Sequence, residues 1–298
     1  MNPQILGMCQ IIIAAVCWGC LGVLGTFLNR QGFSGMEAAS LRVTSAAVLL
    51  LVLLPWFARY LKRLSFRQLP ALFWQSMLGM FGMTVFYFGA VAAVGSSLAV
   101  ALLYTAPVWS LIFARILLGE GITRRSAALT VLAACGVGLT MAGIGQVNWF
   151  GIGLGLMSGV CYALYGVLGK RAMGRNPPML VLFTSVFISA VAMAFLPDTH
   201  QAWQRLLAGA PSAWLAVAAL AVIGTLLPYA LYIKGLEKMP AARASVFTVI
   251  EPLTAVVLAA WWLHESLNLW QYVGVALIIG VSSANAWGGR VPSAKRDN

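Results

Sequence analysis

Charged residues are scarce in this sequence, and that scarcity limits what the chain can be. Asp, Glu, Lys and Arg together make up only 9% of its 298 residues, whereas they make up about 25% of an average soluble domain. Seven residues are Asp or Glu, and the chain has two His. An ordinary cytosolic enzyme, a disordered chain and a disulfide scaffold are therefore excluded. The five cysteines all lie in apolar runs and are interpreted as small core residues. No Cys/His spacing suggests zinc, so neither a metal nor a cofactor is expected.

Apolar residues make up 61% of the chain, more than a soluble core can bury. A helix needs about 20 apolar residues to cross the hydrocarbon layer of a membrane. Ten runs are suitable: residues 5–28, 36–57, 71–93, 97–118, 126–144, 150–169, 179–197, 213–233, 242–263 and 268–287. The first is too long for a signal-peptide core and is expected to be a mature helix. The sequence thus predicts an all-α membrane protein with ten transmembrane helices.

Lys and Arg are concentrated in alternate loops, which sets the predicted orientation. Of 19 such residues, 16 fall in the second, fourth, sixth and eighth loops or the C-terminal tail, counting residues at the adjoining helix ends. Two lie in the other loops and one, Arg42, lies inside a segment. Cytoplasmic loops carry such an excess, so both termini are predicted to be cytoplasmic. The net charge of +12 then marks topology, and no nucleic-acid partner is expected.

The chain repeats itself with a spacing of about 145 residues. Residues 16–25 and 160–169 are identical at six of ten positions. The stretch from Ser96 to Glu120 aligns at a constant offset with the stretch from Ala241 to Glu265. Chance does not easily produce both matches in the same order, so an internal duplication is indicated.

The duplication predicts two five-helix repeats, residues 1–144 and 145–290, followed by a cytoplasmic tail at 291–298. Because each repeat has an odd number of helices, the second must enter the membrane with opposite polarity. Inverted repeats are typical of secondary transporters that hold substrate near the midplane, between the halves. The alternative is that duplication only built a stable bundle.

Two local motifs accompany the ten helices. One is a W-G-x-x-G-V-L-G-like stretch that starts at Trp18, and the other is the pair of segments 102–120 and 249–265. Together they resemble the drug/metabolite transporter superfamily of EamA type. The resemblance implies a ten-helix exporter of small metabolites in the bacterial inner membrane, acting as a monomer or dimer without a cofactor. The Tyr-x-x-Pro arrangement of Tyr104 and Pro107 is similar to that of bacterial exporters of aromatic and other neutral amino acids.

Aromatic residues at matching positions are candidates for the wall of a central cavity. Trp18 and Gly22 lie one turn apart on a helix face, and Tyr162 and Gly166 repeat the pattern. Glycine lets a neighbouring helix approach closely, and both glycines are hinge candidates. The aromatic pair could line the cavity, or it could pack in the ordinary way near a membrane boundary.

Four further tyrosines are candidates for binding the polar end of a substrate. Tyr87 pairs with Tyr232 at the offset of 145, Tyr229 lies one turn before Tyr232, and Tyr104 lies one turn before Pro107. A buried phenol needs a hydrogen-bond partner, which a substrate group or a backbone carbonyl could supply. Tyr104 is expected to be the principal site residue.

Two prolines and two charges lie inside predicted segments. Pro107 and Pro252 each remove a backbone hydrogen bond, which favours a hinge or an exposed carbonyl, although membrane helices also tolerate proline without a role. The residue equivalent to Glu251 in the first repeat is Ala106. Glu251 could accept a substrate ammonium group, carry a proton or have a structural role. Arg42 could snorkel outward, pair with a carboxylate or meet a substrate carboxylate, and a structural role is favoured.

Glu120 and Glu265 occupy equivalent places before a helix start, where a carboxylate complements the helix dipole. Both are interpreted as structural. Gly151, Gly155 and Gly159 form a G-x-x-x-G-x-x-x-G face, which predicts close helix packing.

Two other functions compete with amino-acid export. An exchanger of sugar phosphates or nucleotide sugars would need several deep cations, and only Arg42 is deep, with Lys234 at a helix end. A membrane-embedded enzyme would need clustered His, Asp or Glu, or a Ser/His pair, at membrane depth. The segments contain no His and a single central carboxylate, so no enzymatic activity is expected.

Overall fold

The computed structural model describes residues 2–62, 64–140, 148–262 and 269–287, which are almost wholly helical and contain no β-strand. The N-terminal half contains α1 (Pro3–Gly19), α2 (Leu21–Arg30), α3 (Gly35–Val52), α4 (Leu54–Leu61), α5 (Leu69–Trp74), α6 (Gly82–Val94), α7 (Ser96–Leu103), α8 (Ala106–Leu118) and α9 (Arg124–Thr140). The C-terminal half contains α10 (Trp149–Met173), α11 (Pro178–Met193), α12 (Pro197–Ala208), α13 (Pro211–Ala221), α14 (Leu227–Leu236), α15 (Ala241–Phe247), α16 (Ile250–Trp262) and α17 (Leu269–Trp287).

Several of these helices are long and apolar enough to cross a membrane. Within the described residues, five continuous stretches qualify: Pro3–Arg30, Gly35–Val52, Phe66–Val94, Trp149–Met173 and Pro211–Leu236. A sixth arises if α11 and α12, which meet at 92°, are taken as one broken span. The prediction of an all-α membrane protein is therefore confirmed. The predicted segments end partly in residues 141–144, 263 and 268, which lie outside the described part, as does Glu265.

Two helices differ from the predicted pattern. The loop expected after residue 197 contains the polar helix α12, which begins with proline and has Asp198 in its first turn. A search for apolar runs passes over such a helix because only one of its faces is apolar. The run 36–57 is also divided, since α3 ends before Leu53 and α4 starts after it.

Side-chain caps define where two long helices begin. Ser34 and Glu37 form a reciprocal capping box at α3: Glu37 N donates to Ser34 Oγ at 3.1 Å, and Ser34 N donates to Glu37 Oε2 at 2.6 Å. At α10 the Asn148 side chain accepts from the backbone of Phe150 and Gly151. Each cap satisfies amide groups that have no partner inside the helix.

Helix breaks recur at equivalent places in the two halves. Tyr104 and Thr105 separate α7 from α8, and Thr248 and Val249 separate α15 from α16. Pro107 and Pro252 lie in the first turn after each break, where a proline costs no helical hydrogen bond. The Thr105 and Thr248 hydroxyls each donate at 2.7 Å to a carbonyl three residues earlier, so both breaks have part of their backbone satisfied locally.

π-Helical turns recur with the same spacing. Residues Gln75–Phe81 form one turn between α5 and α6, and residues Val222–Leu226 form the other between α13 and α14. They include Gly79 and Gly224, which are 145 residues apart. Such turns widen a helix locally and leave carbonyls free to bind other groups.

The first long helix of each half packs on the other half. In α1, Gly7 is so close to α14 that a Cβ would lie 3.0 Å from the Gly235 carbonyl oxygen. In α10, a Cβ at Gly151 would lie 2.7 Å from Ala93 Cβ at the end of α6. Gly155 meets Leu102, and Gly159 meets the backbone of the first helix break. The predicted glycine packing face is thus confirmed, and it joins the two halves.

Glu120 also links the halves, and its interpretation needs correction. Its carboxylate does not cap the helix that follows it in the chain. It accepts from the backbone N–H of Ala241 at 3.0 Å, at the start of α15, and lies 3.7 Å from Lys170 Nζ. Lys170 Nζ also donates to the Met239 carbonyl. The role is structural as expected, but it acts between halves.

We predict that Gly159→Ala destabilises the protein by about 1–3 kcal/mol, the usual cost of overpacking. Its new methyl group would lie 2.9 Å from the Leu102 carbonyl oxygen and 3.0 Å from that of Leu103, which α10 can relieve only by moving away. Gly153→Ala on the same helix is the matched control, because nothing lies within 4 Å of its Cβ position. Thermal unfolding of both purified variants in detergent tests this, and equal midpoints would contradict the packing described.

Candidate functional site

Trp18 is the centre of an aromatic cluster between the halves. It lies at the end of α1, is 4% exposed, and contacts the rings of Tyr162, Tyr229 and Tyr232 with centroid distances of 6.2, 5.0 and 5.6 Å. Tyr162 belongs to α10, and the other two tyrosines belong to α14. The structure therefore brings four predicted site residues together. Trp18 and Tyr162 touch each other; they are not two walls separated by open space.

Tyr165 completes the cluster and was missed by the sequence analysis. It is 1% exposed and contacts Tyr229 at 5.1 Å and Tyr232 at 6.0 Å. The available signal was its position one turn after Tyr162 on the same helical face. Its backbone lies against Gly79 in the first π-helical turn, which ties the cluster to the helix containing Tyr87.

Glu251 lies beside this cluster, in the first turn of α16 directly after the second helix break. Tyr162 Oη donates to its Oε2 at 3.4 Å. Gly19, the residue after Trp18, packs directly on α16, because a Cβ at Gly19 would lie 2.8 Å from the Glu251 carbonyl oxygen. This contact keeps Trp18 close to Glu251. Glu251 keeps part of its surface exposed, whereas Trp18 and Tyr162 are buried. Glu251 thus borders the cluster and is less buried than Trp18 and Tyr162.

Tyr104 faces Glu251 from the first helix break. It is 2% exposed, and its ring lies near enough to Glu251 for electrostatic interaction. Its hydroxyl nevertheless makes no hydrogen bond of normal geometry with the described residues, and neither does Trp18 Nε1. Both polar atoms are buried. A donor left without a partner in such surroundings is costly, so both groups are suited to meet a polar ligand.

Arg42 and Tyr87 are further neighbours of Glu251. Arg42, in α3, is 7% exposed and donates through Nη1 to the Gly224 carbonyl at 3.3 Å. Both side chains interact electrostatically with Glu251. Tyr87, in α6, is half-buried and stacks edge-on against Phe88 at 5.0 Å. Arg42 was expected to be structural and is here a neighbour of the site.

The hinge candidates occupy unlike surroundings. Gly22 lies in the first turn of α2, just after the helix break at Cys20, and a Cβ there would meet nothing within 4 Å. Gly166 lies inside the unbroken helix α10, where a Cβ would lie 2.5 Å from Tyr232 Oη. Gly166 therefore makes room for a tyrosine of the cluster, and the helix break in this pair belongs to the first half.

The described residues of this region offer no set of side chains that could bind a metal ion. Within residues 2–62, 64–140, 148–262 and 269–287, no three His, Cys, Asp or Glu side chains are grouped closely enough to hold an ion. The chemistry available consists of one carboxylate, one guanidinium, phenol and indole groups, and aromatic surface.

Comparisons with known proteins agree with this description. The family model of EamA-like transporters matches twice, at residues 5–142 and 149–283. An uncharacterized transporter of Archaeoglobus fulgidus is 27% identical over 92% of this chain and 93% of its own length. The threonine/homoserine exporter RhtA of Escherichia coli K12 is 28% identical over 84% of this chain and 81% of its own. A solved crystal structure with 18% identity covers 94% of this chain and 96% of its own with a TM-score of 0.72, which shows the fold alone.

Trp18→Ala is predicted to destabilise the protein by about 3–5 kcal/mol, the typical cost of emptying a buried aromatic site. The indole contacts three tyrosines on two helices, so its removal leaves a cavity between α1, α10 and α14. Trp149→Ala is the control, since Trp149 is 79% exposed. Thermal unfolding in detergent measures both, and a loss for Trp149 equal to that for Trp18 would contradict the central role of the cluster.

Proposed function

Because the chain belongs to the EamA-like transporter family, we propose that it exports small metabolites, chiefly neutral or aromatic amino acids, across the bacterial inner membrane by alternating access. The observation that supports this proposal is the half-buried Glu251 at a helix break, whose carboxylate accepts a hydrogen bond from Tyr162 and lies beside the Trp18 cluster. The carboxylate would accept the substrate ammonium group, and the aromatic rings would contact its side chain.

The architecture we propose is ten membrane helices in two inverted repeats. Supporting it are the paired helix breaks, the paired π-helical turns, and the packing of each first helix on the opposite half. The family model also matches two consecutive stretches of similar length. Helices interrupted at equivalent places in two halves are a feature of transporters that bind substrate at the repeat interface.

Within that architecture, Tyr104 would donate its unpaired hydroxyl to substrate, and Trp18 would offer its indole N–H. Tyr162, Tyr229 and Tyr232 would form the aromatic surface, with Tyr87 at its more exposed side. Pro107 and Pro252 would lie at the two breaks and let the half-helices tilt, and Gly22 would serve as a hinge beside the break at Cys20, whereas Gly166 makes room for Tyr232. Two related halves can adopt inward-open and outward-open states of similar energy, so modest differential binding would shift their populations.

An amino-acid substrate is favoured over an organic phosphate by the charges near the site. A phosphate would require several cations, and Arg42 is the one Lys or Arg that is buried in the described part of the chain. The relative RhtA, described as a threonine/homoserine exporter, supports the same class. Membership of a transporter family favours transport over catalysis, and the described residues contain no cluster of His, Cys, Asp or Glu near the site.

We expect purified protein in liposomes to take up labelled neutral amino acids, with counterflow when the lumen is preloaded. Threonine and phenylalanine should be included in the panel, and glucose 6-phosphate should be included as the rival substrate. Glu251→Gln and Tyr104→Phe are expected to reduce uptake about tenfold or more, since each removes a polar contact to substrate. Uptake of the phosphate but of no amino acid would reverse the proposal.

Thermal unfolding separates these effects from misfolding. Tyr104→Phe removes a hydroxyl without a partner among the described residues, so it should leave the unfolding midpoint unchanged. If Tyr104→Phe keeps both full stability and full transport, Tyr104 is a packing residue.

The proposed topology predicts which surface positions a membrane-impermeant thiol reagent can reach in intact cells. Gln201 in α12 and Ser65 before α5 are both exposed, and they are expected on opposite sides of the membrane. Gln201→Cys should react from outside, whereas Ser65→Cys should react only after the membrane is permeabilised. Labelling of both positions from outside would contradict cytoplasmic termini.

A further inference from the structure

Arg42 is a buried cation whose place in the fold calls for an anion. Among the described residues the buried charged side chains are Glu37 and Arg42. Glu37 lies 3.6 Å from Arg205 Nη2, so its charge is compensated. No carboxylate of the described residues lies within ion-pair distance of Arg42. A buried guanidinium without a counter-ion is strongly unfavourable.

The hydrogen bonds of Arg42 leave most of its donor capacity for another group. Nη1 donates to the Gly224 carbonyl at 3.3 Å, a group presented by the second π-helical turn. The phenol of Tyr229 lies close to the guanidinium as well. Guanidinium has further N–H donors arranged in a fork that matches a carboxylate. The arginine stem also crosses Gly224, where a Cβ would lie 3.6 Å from Arg42 Cδ, so its position is fixed by packing.

Arg42 and Glu251 interact electrostatically but are not paired, although they carry opposite charges beside one aromatic cluster. Neither charge is repeated in the other half. At an offset of 144 or 145 residues Arg42 corresponds to the apolar Val186 or Phe187, and at an offset of 145 Glu251 corresponds to the buried Ala106. Two unrepeated, unpaired and opposite charges at one site indicate a ligand that carries both charges.

We propose that Arg42 binds the carboxylate of a zwitterionic α-amino acid whose ammonium group is accepted by Glu251. The inference rests on the proposed transport function and narrows its substrate class to molecules with both groups free. Arg42 is then a specificity-determining residue, and Tyr229 is its neighbour in the site. The carboxyl end of the substrate lies toward α3, and its ammonium end lies toward α16.

The test is competition against uptake of labelled phenylalanine and threonine by purified protein in liposomes. The competitors are each unlabelled amino acid and its carboxamide, which keeps the ammonium group and lacks the carboxylate. For the wild-type protein the free amino acid should compete about tenfold or more better than the amide. Arg42→Gln should raise KM by a similar factor and bring the two competitors close to equal potency.

Two further variants separate a binding role from a structural one. Arg42→Lys keeps the charge and should retain a preference for the free acid even where affinity falls. Arg115→Gln removes an exposed arginine of α8 and should leave the preference unchanged. A preference for the free acid that persists in Arg42→Gln would overturn the proposal, as would equal potency of acid and amide in the wild-type protein.

Failure of the proposed transport function is distinguishable from failure of this inference. If folded wild-type protein takes up neither amino acid, the transport proposal fails, and binding is then measured directly as the thermal shift caused by phenylalanine or threonine. Stabilisation of the wild-type protein but not of Arg42→Gln would still support a carboxylate site. No stabilisation of the wild-type protein by either amino acid would overturn it.

Discussion

A helix that is interrupted inside a membrane must satisfy its own backbone, because lipid offers no hydrogen bonds. This constraint explains much of the structure around the site. At both breaks a threonine hydroxyl, from Thr105 or Thr248, donates to a carbonyl of the preceding turn. At the second π-helical turn, the carbonyl of Gly224 is met by Arg42. The irregular backbone is therefore confined to places where side chains can complete it, and those places surround Glu251 and the aromatic cluster.

The two halves share their backbone irregularities but not their charges. Breaks and π-helical turns occur at matching positions, whereas Glu251 corresponds to Ala106 and Arg42 corresponds to an apolar residue, Val186 or Phe187. A duplicated scaffold can supply two related conformations. Recognition of a small asymmetric molecule requires that its two ends meet different groups, and divergence between the copies provides that difference. The aromatic residues follow an intermediate pattern, since Trp18 and Tyr162 correspond in position but differ in size and polarity.

Much of this arrangement could be predicted from the sequence. The apolar runs include the five stretches of the described residues that are long and apolar enough to cross a membrane, because hydropathy directly reflects their surroundings. The recurrence of Trp18 and Tyr162 pointed to the cluster that they form. Arg42 was undervalued because nothing local in the sequence indicates which distant groups surround a side chain. Tyr165 was overlooked for the same reason, and α12 because its apolar face is narrow. The partner of Glu120 could not be foreseen either, since it caps a helix 121 residues away in the chain.

The way in which the glycine faces are used has a consequence for the origin of the molecule. Gly7 on α1 and Gly151 on α10 are each covered by the opposite half, so neither half completes its own packing. Under the proposed inverted topology, a single-copy precursor would have covered that surface by associating with a second molecule in the opposite orientation in the same bilayer. Such a precursor would have needed to insert in both directions, with little charge bias between its loops, and fusion of the two genes would have allowed each copy to acquire a fixed orientation.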